Sequence, residues 1–68
     1  MAVARVTEII AGSNVSFDDA VQRGMRRANK TLKNVKGAWI DGQKVVCGDG
    51  GVIEEYRVTL KVTFIIED

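Results

Sequence analysis

The 68-residue chain has no histidine, no proline and a single cysteine, and its only aromatics are one tryptophan, one tyrosine and two phenylalanines. Each shortage removes a class of answer. Cys47 alone allows no internal disulfide, and without histidine or a second thiol a structural zinc site has no ligand set. Such staples are the usual supports of small folds, because a chain this short buries only about 60% of the surface its unfolded form exposes. Association with further copies is the support that remains.

Other classes fall in the same way. The missing histidine removes the commonest general base, no nucleophile has a recognisable base, and "GDGG" (Gly48 to Gly51) reads as a hairpin turn rather than a phosphate loop opening a helix. The expected catalytic residues are none, which reads as a binding protein rather than an enzyme. No apolar run approaches the roughly 20 residues of a membrane span, and "MAVARVTEII" lacks the regions of a secretion signal. The expectation is a cytoplasmic protein with no membrane partner. Ten Lys and Arg against nine Asp and Glu leave a net charge of +1, which gives no reason to expect nucleic acid. The adjacent carboxylates Glu54 and Glu55, and Glu67 and Asp68, would point to opposite faces of a strand, so the expected metal site within one subunit is none.

What is present is clear patterning. Val3 to Ile10 is rich in β-branched residues and reads as a strand, with turn residues in "AGSNVS" after it. Ser16 is a good N-cap and Asp18 and Asp19 suit the first turn of a helix starting at Phe17. Phe17, Ala20, Val21, Gly24, Met25, Ala28, Leu32 and Val35 recur at spacings of three and four, one apolar stripe over about five turns. Gly24 in that stripe suggests a strand approaching the helix closely. Arg23, Arg26, Arg27, Lys30 and Lys33 make the other face basic, read here as a solvated or ion-paired surface. "GAWIDGQKVVC" and "VIEEYRVTLKVTFIIE" read as strands of an antiparallel hairpin, with Tyr56, Val58, Leu60, Val62, Phe64 and Ile66 of the second facing one way. The fold class is therefore α+β, in the order β-α-β-β, with one helix packed on a three-stranded antiparallel sheet and a single domain spanning residues 1–68.

That arrangement leaves the second sheet face largely polar, and period two groups Trp39 with Asp41, Gln43, Val45 and Cys47. Two readings of Trp39 stand on residue chemistry: it fills a subunit interface, or it is a platform for a flat ligand, with Arg57 and Gln43 supplying hydrogen bonds.

"ARVTEI", "SFDDAVQRGMRRANKTLKNVKGAW" and "EEYRVTLKVTFIIED" resemble the dodecin family over essentially the whole chain. The resemblance implies assembly into a hollow homododecamer that holds flavin (FMN or riboflavin) at subunit interfaces, stacked between tryptophans of neighbouring subunits, for storage and quenching of photochemistry. Trp39 corresponds to the stacking tryptophan. Arg57 corresponds to the polar residue after the strand tyrosine, a glutamine in the best-known flavin binders. Some dodecin-like proteins lack the flavin site and are described with calcium instead, so the alternative is a cage that binds calcium or small anions or acts as a scaffold.

Overall fold

The computed structural model describes residues 3–66. Strand β1 (Val3–Ser13) is followed by helix α1 (Phe17–Thr31), strand β2 (Val35–Cys47), a single 3-10 turn (Asp49–Gly51) and strand β3 (Ile53–Ile66). The sheet order is β1-β3-β2 and both pairings are antiparallel, so the expected one-helix, three-stranded architecture is the observed one.

Local chemistry explains the element ends. Ser16 adopts an extended backbone and its hydroxyl accepts from the Asp19 N–H at 2.9 Å, capping α1 at the residue expected. Ser13, which the sequence reading left in a turn, ends β1 instead. Its buried hydroxyl donates to Asp19 Oδ2 at 2.5 Å and accepts from the Val15 N–H at 2.9 Å, tying the strand end to the first helical turn. The β2–β3 turn uses the left-handed freedom of glycine at Gly50 (φ 73°) and Gly51 (φ 77°).

The helix is shorter than its apolar stripe. Leu32 already has extended dihedrals, Asn34 takes a left-handed conformation (φ 61°) and Val35 belongs to β2. Asparagine tolerates that conformation, and here its carbonyl accepts from the Ile65 N–H at 3.1 Å, fastening the turn to β3. Leu32 and Val35 still pack on the core. They extend the stripe without extending the helix. The last strand was expected to reach Glu67, which lies outside the described residues, as does the Glu67 and Asp68 pair.

The core lies between α1 and the central strand. Val58, Leu60 and Val62 are fully covered, against Ala20 and Ala28 of the helix. A Cβ on Gly24 would fall 2.9 Å from both Ala11 Cβ and Leu60 Cδ1, so the close approach expected there is real. The helix lies over β1 and β3 and barely reaches β2. As a result Ile40, whose register partner is the buried Leu60, is 57% exposed. The chain is elongated, 52 × 19 × 14 Å, with a radius of gyration of 14.0 Å, where a compact chain of this length has about 11 Å. It exposes 5000 Å², against about 4,200 Å² for a compact protein of the same mass.

Candidate functional site

The face of the sheet turned away from α1 is built in cross-strand rows. Glu8, Lys61 and Trp39 form one row, Ile10, Thr59 and Gly42 the next, and Gly12, Arg57 and Lys44 the third. The middle row is low on its β2 side because Gly42 has no side chain and Thr59 a short one. A cleft of about 280 Å³ opens there, lined by Ile10, Gly42, Gln43, Lys44, Arg57 and Thr59. Trp39 stands one row away, 62% exposed.

A β-bulge decides which side chains share this face. The pairing slips between Ile40 and Gly42, leaving Asp41 as the extra residue. Before the slip Trp39 lies opposite Lys61, and after it Gln43 lies opposite Val58, which faces the helix. Trp39 and Gln43 are therefore on opposite faces. This corrects the expectation that Trp39, Asp41, Gln43, Val45 and Cys47 form one row; Gly42, Lys44 and Val46 take the places beyond Trp39. Gln43 borders the cleft from the edge strand rather than from the side of the indole. Trp39 lies on the Arg57 and Thr59 side of the sheet. A glycine inside a strand often marks a bulge, so Gly42 was the available signal for the slip.

Two ion pairs order the cations. Arg57 donates from Nε at 2.7 Å and Nη2 at 2.6 Å to a single oxygen, Oε1, of Glu55. The Glu55 carboxylate rests over Gly12, where any Cβ would come within 2.7 Å of its Cδ. Gly12 thus makes room for the group that aims Arg57. Lys61 Nζ lies 3.6 Å from Oδ2 of the bulged Asp41, beside the indole. Lys44 has no ion pair among the described residues.

The arrangement suits binding of a flat or anionic group: an exposed aromatic surface, a shallow cleft and donor groups at its far end. Cys47 is exposed at the end of β2, away from these residues, and among the described residues no three His, Cys, Asp or Glu side chains gather around a common point. A larger groove, about 500 Å³, runs between α1 and β1 past Arg23, Gly24 and Arg27. It shares only Ile10 with the sheet cleft and reaches neither Trp39 nor Arg57.

Known proteins share this frame. The chain is 31% identical to the dodecin of Thermus thermophilus over 97% of its own length and 94% of the relative's. It superimposes on the dodecin of Streptomyces davaonensis with a TM-score of 0.92 at 31% identity, covering 98% of this chain and 97% of that one. A calcium-chelating dodecin from Mycobacterium tuberculosis, whose structure has a calcium-binding site, matches with a TM-score of 0.83 at 28% identity over 96% of this chain and 91% of its own. The dodecin family model matches residues 3–67, and with the same helix laid over the same three strands, the chain belongs to the dodecin family.

Proposed function

We propose that this chain binds a flavin, riboflavin or FMN, without turning it over, in a hollow assembly of twelve copies that stores the ligand and quenches its excited state. The observation that carries the reading is Trp39, a large aromatic left 62% exposed on an uncovered sheet face beside Lys61 and one row from the cleft. A soluble chain gains nothing by presenting an indole to water, whereas stacking between an indole and a second flat wall buries much of both surfaces. One chain supplies one wall, so a symmetry-related copy supplies the other. The elongated shape, the unpaired outer edges of β1 and β2, and exposed Ile10 and Ile40 give the surface on which copies associate. Trp39 is the stacking residue in this reading and Arg57 a donor at the ligand's edge. Gln43 contributes from the β2 edge, within reach of a ligand held by a neighbour. The whole of residues 1–68 acts as one domain, in the cytoplasm.

Titrating riboflavin or FMN with the purified protein and following flavin fluorescence tests the proposal. Strong quenching is expected, lost on Trp39→Ala, from particles of twelve times the 7.4 kDa chain mass. Unquenched flavin at high micromolar protein sinks it.

The likeness to the calcium-chelating dodecin motivates a second reading, an ion-binding cage in which symmetry gathers copies of one exposed carboxylate, such as Glu54. In that case chelation lowers the melting temperature and added calcium restores it, with no response to flavin.

A further inference from the structure

Aspartate is followed directly by glycine twice in this chain, at Asp41 and Gly42 and at Asp49 and Gly50, and the fold holds the two pairs differently. In such a pair the aspartyl side chain is open to attack by the next main-chain nitrogen, since glycine has no Cβ to crowd the approach. Asp41 is the bulged residue of β2, set between the paired positions Ile40 and Gly42, and its Oδ2 lies 3.6 Å from Lys61 Nζ. The ladder on either side fixes its main chain and the ion pair fixes its carboxylate. Asp49 opens the turn between β2 and β3 and is exposed, as are Gly50 and Gly51. Its carboxylate makes no ion pair and no hydrogen bond among the described residues. The turn's own hydrogen bonds run from the Gly48 N–H to the Val52 carbonyl at 2.8 Å and from the Gly51 N–H to the Gly48 carbonyl at 3.3 Å, which leaves the Gly50 N–H without a partner among the described residues. A Cβ at Gly50 or Gly51 would meet nothing within 4 Å, so the turn can rearrange without displacing a neighbour.

We infer that Asp49 is a site of spontaneous covalent modification, converting through a cyclic imide to isoaspartate, and that the fold protects Asp41 from the same reaction. The Gly50 nitrogen attacks Cγ of Asp49. The N–Cγ bond forms, a Cγ–O bond breaks, and the departing oxygen leaves as water with the N–H proton and the carboxyl proton. Water then adds back to one of the two imide carbonyls: opening at Cγ restores aspartate, and opening at the α-carbonyl gives isoaspartate. The water taken up replaces the water released, and no oxidant, reductant or cofactor takes part. Isoaspartate carries the main chain through Cβ, one atom longer, and leaves the α-carboxylate as the free anion. The fold confines that change. Beyond the pairing of Ser13 with Tyr56 the hairpin has only two strands, so the extra atom is taken up at a free end. Trp39 lies eight residues back from Cys47 on β2, about 25 Å along the strand, and the inference is independent of the flavin reading.

Warm incubation of the assembled protein near neutral pH, followed by peptide mapping, tests it. A protease that cleaves before aspartate but not before isoaspartate counts conversion at each site, and labelling of the same peptides by an isoaspartyl methyltransferase verifies the linkage. Conversion at Asp49 is expected to exceed that at Asp41 by about tenfold or more, the ratio that a restraint the size of one hydrogen bond imposes on a rate. In urea, where both pairs lose their surroundings, the two sites should convert nearly equally. Asp49→Glu, whose longer side chain closes its ring far more slowly, should remove the signal at that position and leave Asp41 unchanged, with size-exclusion profiles and circular dichroism establishing that the variant assembles. Equal conversion at the two sites in the folded protein, or the same ratio folded and in urea, overturns the assignment. So does a folded protein free of isoaspartate under conditions that convert the urea sample.

Discussion

Two glycines show how differently the two sides of this sheet are built. Gly24, on α1, sits where helix, β1 and β3 meet so closely that an added methyl would lie 2.9 Å from two neighbouring side-chain carbons. Gly42, on β2, has nothing within 4 Å of the same added atom. The first glycine lets two layers touch, and the second helps keep a cleft open. The covered side is specified by packing, where a change of one methyl group is felt. The open side is specified by charge and register. Substitutions on the covered side are therefore expected to move stability, and those on the open side to leave it nearly unchanged.

The largest break of that contrast is Leu60→Ala. Leu60 is fully buried under α1 in the central strand, and truncation there costs about 2–5 kcal/mol, the transfer term plus the cavity left behind. Urea unfolding at one fixed protein concentration measures it, since association adds concentration-dependent stability. A loss below 1 kcal/mol would mean that this core contributes little and that the fold is held elsewhere.

Gly24→Ala and Gly42→Ala come next as a pair. Alanine gains about 1 kcal/mol over glycine inside a helix, but forcing a methyl against Ala11 and Leu60 costs about 1–3 kcal/mol. A net loss near 1 kcal/mol is expected for Gly24→Ala. Gly42→Ala should stay within about 0.5 kcal/mol while narrowing the cleft beside Arg57. If Gly42→Ala is the more damaging of the two in urea, the separation of the two sides is wrong.

The same contrast explains what could be read from the sequence. The covered side announces itself: Phe17, Ala20, Gly24 and Ala28 at helical spacing, and Val58, Leu60 and Val62 at period two, are each where the pattern put them, because burial selects apolar residues on one face only. The open side gives no such signal. One extra residue at Asp41 exchanges the faces of everything after it, and alternation on β2 is too mixed to show where the slip falls. Trp39 keeps the face of Arg57 because it lies before the slip. Gln43 was misplaced and Lys44 missed because they lie beyond the bulge. The end of α1 was hidden for another reason: Leu32 and Val35 pack on the same core from outside the helix, so burial continued where hydrogen bonding stopped.

Smaller effects lie where the two sides join, at the turn between β1 and α1. Ser16→Ala removes the acceptor for the Asp19 N–H and should cost about 1 kcal/mol, read in the same urea experiment. Ser13 keeps its own contacts to the Val15 N–H and Asp19 in that variant, so the helix start loosens without losing its tether to the strand.

The smallest effect depends on pH. The Asp19 carboxylate accepts from the Ser13 hydroxyl and, at 2.7 Å, from Arg23 Nε, and these two hydrogen bonds, the Ser13 bond foremost, hold its pKa below the usual carboxylate value. A carboxyl whose pKa is lower in the folded than in the unfolded chain stabilises the fold above its unfolded value, and that contribution disappears as pH falls through the folded value. Asp19→Asn cannot titrate. Its urea midpoint should therefore sit below that of the wild type by a constant margin from pH 7 to about pH 5, and the two should converge below about pH 4. Because Arg23 is largely exposed, salt should shrink the part of the margin that its ion pair supplies and spare the part held by the buried Ser13 hydroxyl. A margin that persists unchanged to pH 2 would show that asparagine disturbs the turn by its shape, and that the charge of Asp19 does not hold helix and strand together.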